Sequence, residues 1–71
     1  MSIKLGAPDS SKYFKFKIGD KVRIKFTEIT GIVIDGDCYP ELGLRMTFYQ
    51  IKASDSLTYT YLENDIELLQ Q

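Results

Sequence analysis

The sequence contains no histidine and no tryptophan, and its one cysteine is Cys38. A single cysteine excludes a disulfide within the chain, and one cysteine without histidine excludes the usual Cys/His zinc site. The lack of histidine also removes the side chain that most often serves as a general base. No glycine-rich phosphate loop is present either. We therefore expect a protein that is not an enzyme and that carries no metal and no cofactor.

Long apolar runs are absent as well. No stretch approaches the ~18 apolar residues that cross a membrane. The start of the chain, residues 1–4, lacks the apolar core of a signal peptide. Together with the lone cysteine, this favours a reducing cytosol. We expect a cytoplasmic protein without a membrane partner.

The chain is short and its charge is unevenly distributed. Below roughly 70–80 residues a single core seldom supplies more than about 3–5 kcal/mol, and this chain has 71 residues. Self-association or docking onto a larger partner is therefore the expected supplement. Residues 1–27 hold seven basic and two acidic side chains, and residues 28–71 hold two basic and eight acidic ones. These opposite charges neutralise each other if the first and last strands lie close together.

The clearest pattern follows the turn predicted at Gly19-Asp20. Glycine accepts a positive φ, and aspartate can hydrogen-bond its own backbone. After this turn the side chains alternate over residues 21–26, which is typical of a strand with one buried and one solvated face. The expected buried face comprises Val22, Ile24 and Phe26, and the expected outward face comprises Lys21, Arg23 and Lys25.

Further short strands are predicted at residues 29–35, 44–53, 57–62 and 66–69, and no helical period of useful length appears. Gly31 marks a bulge or a close backbone approach. The run 32–34 is predicted to be buried on both faces. Asp35-Gly36-Asp37 predicts a turn that opens a loop reaching residue 43, and a single 3₁₀ turn is expected at residues 63–65.

The predicted architecture is an all-β, five-stranded small barrel at residues 13–71, preceded by a loosely ordered N-terminal arm at residues 1–12. The alternative for the arm is that Ile3 and Leu5 form a short extra strand or a subunit contact. One of Phe14, Phe16 and Ile18 is expected to seal an end of the core.

This order of features resembles the SH3-like small barrels. The resemblance covers about residues 13–69. It is carried by an aromatic that two residues separate from Gly19-Asp20, by the strand ending near Phe26, and by three segments: Gly31-Ile32-Val33, Tyr49-Gln50-Ile51 and the ending 61–68. Within this class the chain is similar to electron-transport accessory subunits, to type II dihydrofolate reductases and to small bacterial and phage proteins. Many unrelated activities occur on this barrel.

The type II reductases are similar in length, in their N-terminal arm and in the Gly-Asp-basic-Val-Arg start. Their active pore depends on a Val-Gln-Ile-Tyr run in the fourth strand. The corresponding stretch here is 57–61, Leu-Thr-Tyr-Thr-Tyr, in which only the last tyrosine matches. The resemblance therefore does not imply reductase activity for this chain.

The aromatic residues outnumber what one small core can hold. On SH3-like barrels, exposed aromatics of the long loop and of the third and fourth strands form the ligand groove, so the resemblance predicts a partner-binding site here. Its candidates are Tyr39, Phe48, Tyr59 and Tyr61. Such residues could stack bases, bind a peptide or pack against a second subunit. Tyr49 and one of Tyr59 and Tyr61 are expected in the core instead.

The basic face at Lys21, Arg23 and Lys25 offers an alternative, a phosphate-facing stripe that binds nucleic acid or a nucleotide. The competing interpretation is a solvated face that pairs with acidic residues of the last strand, namely Glu63, Asp65 or Glu67. The chain has seven lysines and only two arginines, and this scarcity of arginine favours the solvated face.

The carboxylates of Asp35, Asp37 and Glu41 cluster in sequence. Their spacing matches no EF-hand loop, and turn chemistry explains the first two, so no metal site is predicted. Cys38 lies beside them without a neighbouring base, so we expect an inert loop thiol.

The sequence favours a non-catalytic binding module that docks on a protein partner or self-assembles, such as a phage or bacterial accessory or inhibitor protein. If the chain comes from a phage, it would act in the host cytoplasm. Two alternatives stay open: nucleic-acid or nucleotide binding through the first strand, and a small oligomeric enzyme with a central pore.

Overall fold

A computed structural model describes residues 2–40 and 46–69. Two 3₁₀ turns accompany six strands, and the described residues contain no α-helix. The strands are β1 (Ile3–Lys4), β2 (Lys21–Ile24), β3 (Thr30–Tyr39), β4 (Met46–Ala53), β5 (Thr58–Leu62) and β6 (Ile66–Leu68). The 3₁₀ turns span Ser10–Tyr13 and Glu63–Asp65. The all-β prediction and the 3₁₀ turn before the last strand are confirmed.

All strand pairs are antiparallel, in the order β5-β4-β3-β2-β6, and β1 adds to β3. The end strands β5 and β6 are joined by the turn Glu63–Asp65 alone, a connection that spans at most about 14 Å. The sheet must therefore curl so that its two edges approach. Within the described ranges no ladder joins β5 to β6, so the sheet is curled but open.

The core lies inside this curl. Strands β2, β3, β4 and β6 each contribute alternate side chains to the core, because successive side chains of a strand point to opposite faces. The buried cluster comprises Phe16, Val22, Ile24, Val33, Tyr49, Ile51 and Ile66. Phe14 packs against the cluster at its margin, whereas Ile18 is more than half exposed. Phe16 is therefore the residue that closes this end of the core.

The turn predicted at Asp35-Gly36-Asp37 is wrong, because β3 continues through it to Tyr39. Backbone pairing with β1 on one side and β4 on the other outweighs the local turn preference. Gly36 is buried, and a Cβ there would lie 3.2 Å from the Phe14 ring and 3.3 Å from Leu5 Cβ. The glycine therefore admits close packing of the N-terminal segment. The predicted loop at residues 41–43 lies outside the described residues.

β3 contains a bulge between Val33 and Asp35, where the register against β4 shifts by one residue. Ile34 is the extra residue. The prediction that residues 32–34 are buried on both faces is wrong: Val33 is fully buried, but Ile32 and Ile34 are 43% and 41% exposed. Gly31 marks a close approach instead of the bulge, since a Cβ there would lie 2.6 Å from the Ile51 Cγ2 atom.

Phe26 is also misassigned by the alternating pattern. β2 ends at Ile24, and Phe26 is fully exposed with a φ of 65° in the left-handed region. The chain turns here because Thr27 closes a local loop: its backbone N–H and its hydroxyl both donate to the Ile24 carbonyl, and its Oγ1 accepts from the Ile29 N–H. The alternation of buried and exposed side chains therefore ends before Phe26.

The start of the described chain is attached to the sheet. β1 places Ile3 opposite Cys38 and Lys4 opposite Asp37, and Leu5 packs against the core. This arrangement follows the alternative expectation of a short extra strand and not the main expectation of a loose arm. Among the described residues, no helix is long and apolar enough to span a membrane.

The contrast between Ile24 and Phe26 gives a direct test of the strand end. Ile24→Ala should lower the free energy of unfolding by about 2–4 kcal/mol, because it removes buried methyl groups and leaves a cavity. Phe26→Ala should change it by less than about 1 kcal/mol, because the ring is in solvent. Urea denaturation of the two variants measures both values. Equal losses would show that Phe26 belongs to the core.

Candidate functional site

The four aromatic residues predicted to bind a partner do not share one surface. Tyr39 and Phe48 lie on the outer face of the sheet, where their rings meet edge to face with centroids 6.2 Å apart. Leu62 lies opposite Phe48 and is 38% exposed. These residues form a partly covered outer cluster.

Tyr59 and Tyr61 lie on the opposite, inner face. They are placed opposite Ile51 and Tyr49, which are fully buried. Tyr61 packs against the core, and the two tyrosine rings lie 6.2 Å apart. The sheet therefore separates the predicted group into two pairs, one on each face.

Tyr49 is fully buried, as expected, and its hydroxyl connects three segments. It accepts hydrogen bonds from the backbone N–H groups of Lys15 (2.8 Å) and Phe16 (3.1 Å) and donates to Glu63 Oε2 at 2.6 Å. Burial and the bond to Glu63 raise the pKa of Tyr49 above its ordinary value of 10.0. This contact holds the segment before β2 and the turn before β6 against β4. Tyr49 is a structural residue.

The basic face does not form a continuous stripe. Arg23 pairs with Glu67, which lies opposite it on β6, as the solvated-face interpretation expected. Lys25 follows the end of β2, where its backbone N–H donates to the Asp65 carbonyl at 2.8 Å. Lys21 alone remains beside an apolar surface, described below.

The acidic cluster is occupied by a lysine. Lys4 Nζ lies 3.6 Å from Asp35 Oδ2 and 3.3 Å from Asp37 Oδ1, and its hydrogen bond to Asp37 and the charge of Asp35 raise the pKa of Lys4. No cluster of three metal-ligating side chains occurs in the described part of the chain, and Glu41 lies outside it.

Cys38 is not a loop thiol. It is fully buried on the inner face of β3, where the Thr47 hydroxyl donates to its sulfur at 3.3 Å. The loop prediction is wrong for the same reason as the turn prediction: β3 continues past residue 37.

A concave surface without a structural role, a groove of about 600 Å³, lies across the outer face of β2, β3 and β4. We call it the Ile32 groove. It is lined by Lys21, Thr30, Gly31, Ile32, Ile34, Lys52, Ala53, Ser54 and Leu69. Its floor is apolar, because Ile32 and Ile34 lie on either side of the inward-pointing Val33 and both are exposed.

Two lysines flank this floor in register. Lys21 lies opposite Ile32 on one side, and Lys52 lies opposite Ile32 on the other. Adjacent strands are about 4.8 Å apart, so the row Lys21–Ile32–Lys52 carries a positive charge at each end of a strip about 10 Å wide. Neither ammonium has an ion-pair partner among the described residues. Such a surface suits a ligand with an apolar group between negative charges.

Sequence reasoning identified Lys21 but assigned it to a stripe with Arg23 and Lys25, and it missed Lys52 and the two isoleucines. A signal was available in the three aliphatic residues after Gly31, because a single small sheet has no second layer that would cover such residues on its outer face. No local pattern indicates that Lys21 and Lys52 share a face.

No protein-family model, curated protein or solved structure matches the chain. The function is therefore inferred from the geometry of the described residues.

The Tyr49 contact predicts an alkaline loss of stability. Since folding raises the pKa of Tyr49, the unfolded chain releases this proton first, at about pH 10. The stability that the protonated Tyr49 hydroxyl contributes is thus fully present below pH 10, and it is lost as the pH rises further. Tyr49→Phe should lower the free energy of unfolding at pH 7 by about 1–3 kcal/mol, because the buried Phe16 N–H loses its acceptor, whereas the Lys15 N–H keeps Glu63 Oε2 as a second acceptor. It should also make the decline above pH 10 shallower.

Urea denaturation between pH 7 and pH 11 measures both effects. Tyr39→Phe is the matched control at pH 7, because the Tyr39 hydroxyl makes no hydrogen bond within the described residues. An unchanged alkaline slope in Tyr49→Phe would contradict the assignment.

Proposed function

We propose that this protein is a non-catalytic binding module that takes an extended, acidic and apolar segment of a partner protein in the Ile32 groove. The observation that carries the proposal is the row Lys21–Ile32–Lys52, in which two unpaired lysines flank an exposed isoleucine. The charges would select acidic side chains on the partner, and the apolar floor would take an aliphatic one between them.

We further propose that the module is an SH3-like barrel. The strand order β5-β4-β3-β2-β6, the bent central strand and the 3₁₀ turn before β6 support this assignment. In such a barrel the curled sheet would hold β2, β3 and β4 rigidly, so the groove would be formed before the ligand arrives. Preformed sites lose less entropy on binding.

The groove favours a peptide over a nucleic acid. Proteins that bind single strands combine a basic channel with aromatic side chains on which bases stack, and no described lining residue is aromatic. Arg23, the one arginine of the described residues, is neutralised by Glu67. Two lysines beside an aliphatic floor fit carboxylates and an aliphatic side chain better than a stacked base.

The dimensions of the groove also suit an extended segment. A strand rises about 3.3 Å per residue and alternate side chains share a face. Acidic residues two positions before and two positions after a central aliphatic residue therefore lie on its face, about 13 Å apart, which suits the strip of about 10 Å between the two lysine positions. Thr30 and Ser54 at the margin can exchange hydrogen bonds with the backbone of such a segment. The partner segment would therefore be short, with acidic residues on either side of a leucine or an isoleucine.

Charge reversal in the groove tests the proposal. The probe is a fluorescein-labelled peptide with the sequence Glu-Asp-Leu-Asp-Glu, and binding is followed by fluorescence anisotropy. The double variant Lys21→Glu/Lys52→Glu should weaken binding at least tenfold, because two attractions become repulsions. Ile32→Asp should weaken it similarly, since the apolar floor is lost while Val33 still fills the core.

The matched control is Lys15→Glu/Lys17→Glu, which changes the net charge equally at exposed positions outside the groove. This control should bind within about twofold of the unmodified protein. Equal losses in both double variants would contradict a specific site. Tighter binding of a labelled single-stranded oligonucleotide than of the peptide would instead support the nucleic-acid alternative.

A further inference from the structure

The open sheet has exposed edges, and they differ in how well they are protected. Natural edge strands avoid pairing with other chains by being very short or by carrying charge or proline. β1 has two residues including Lys4, and β6 has three residues including Glu67. β5 has five residues, Thr-Tyr-Thr-Tyr-Leu, with neither a charge nor a proline. Of its three residue types, threonine and tyrosine favour strands. β5 is therefore the unprotected edge.

The backbone groups that β5 presents outward follow from its ladder with β4. The Ala53 N–H donates to the Leu57 carbonyl at 2.9 Å, so this pair is hydrogen-bonded. In an antiparallel pair, hydrogen-bonded and non-hydrogen-bonded positions alternate. The N–H and C=O groups of Tyr59 and Tyr61 thus face β4, and those of Thr58, Thr60 and Leu62 face away from it. In the described part of the chain β5 pairs with β4 alone.

We propose that β5 pairs with β5 of a second copy of this chain, antiparallel and about a two-fold axis at Thr60. Only the antiparallel arrangement places the same strand on both sides of a two-fold axis. In this register Thr60 lies opposite Thr60 of the second copy, and Thr58 lies opposite Leu62. All of these residues present their N–H and C=O groups outward, so about six backbone hydrogen bonds form across the interface.

The side chains fit the same register. Tyr59 lies opposite Tyr61 of the second copy in a non-hydrogen-bonded pair, the type in which side chains approach most closely. Aromatic cross-strand pairs are among the favourable ones. The two rings of each copy already lie 6.2 Å apart, and the Tyr59 hydroxyl is held by Asp55 at 2.7 Å. The dimer therefore gathers four tyrosines on one face, and no two like charges from β5 meet.

The self-complementarity of β5 is the reason to favour a second copy over an unrelated strand. The outward groups at positions 58, 60 and 62 are symmetric about Thr60, and the tyrosines at 59 and 61 are symmetric about it as well. Any extended strand offers the same backbone spacing, so the preference for a second copy comes from the side chains, because Tyr59 and Tyr61 meet in both directions across the axis and β5 contains no charge. The inference does not depend on the proposed peptide groove, because the lining of that groove includes no residue of β5.

Sedimentation-velocity measurements over a range of protein concentrations test the dimer. The monomer mass is 8.2 kDa, and the unmodified chain should shift to twice this mass as the concentration rises. Thr60→Pro removes the outward N–H at the centre of the interface and leaves the bonds to β4 intact. It should weaken dimerisation at least tenfold. Thr60→Val keeps the N–H and the β-branched shape, and it should dimerise like the unmodified chain.

A second variant covers the case in which proline disturbs the fold. Thr60→Lys places like charges directly opposite each other across the two-fold axis, and it should weaken dimerisation several-fold while its circular dichroism is unchanged. A chain that is monomeric at every concentration would overturn the proposal. A dissociation constant that is unchanged in Thr60→Lys would overturn it equally, because the interface would then lie elsewhere. Loss of the dimer with intact binding of the acidic peptide would separate this inference from the proposed function.

Discussion

The structure depends on a geometric constraint in β3, the central strand. This strand pairs with β2 and β1 along one edge and with β4 along the other, so it must bend to serve all three. The bulge at Ile34 supplies the bend, because an extra residue on one strand kinks it and strengthens its twist. The bulge also changes which residues point inward. Before it these are the odd-numbered residues Gly31 and Val33, and after it they are the even-numbered residues Gly36 and Cys38. This one shift in register therefore determines which side chains of β3 enter the core and which lie on the surface.

The interior is closed by polar contacts as well as by apolar packing. The Tyr49 hydroxyl accepts from two backbone N–H groups and donates to one carboxylate. It therefore satisfies the buried Phe16 N–H, while the Lys15 N–H has Glu63 Oε2 as a second acceptor. Phe14 and Phe16 meet its ring edge to face at centroid distances of 5.8 and 5.3 Å, a favourable geometry for aromatic pairs. The segment that leads into β2 is thereby held against β4, although the two are distant in sequence. A small core gains rigidity in this way.

The two proposed interaction surfaces use different properties of one sheet. The Ile32 groove uses its outer face, where lysines from β2 and β4 flank an isoleucine of β3. The β5 edge uses backbone groups that pair with no other strand of the described residues, together with two tyrosines of the inner face. Face and edge can be occupied together, so a dimer would present two grooves to its partners. Two linked grooves would bind a partner with repeated acidic segments more tightly than one groove would.

The amino-acid sequence by itself determined the fold class and much of the core. The alternation at Val22 and Ile24, the strand formers of β5 and the turn at residues 63–65 are local signals, and each is present within a few neighbouring residues. Local signals failed where pairing between distant strands was decisive. Asp35-Gly36-Asp37 has the composition of a turn, but β1 and β4 hold it extended. Phe26 continues the alternation, but the Thr27 contacts have already turned the chain.

The site was decided by the tertiary structure alone. Lys21 and Lys52 belong to different strands, and they share a row only because both lie opposite Ile32. Tyr39 and Phe48 were predicted to lie with Tyr59 and Tyr61, but the sheet places the two pairs on opposite faces. One shift of register exchanges every side chain between the faces of a strand. Register depends on how β3 pairs and bulges against its neighbours, so the composition of each strand could suggest candidate residues but could not determine which of them meet.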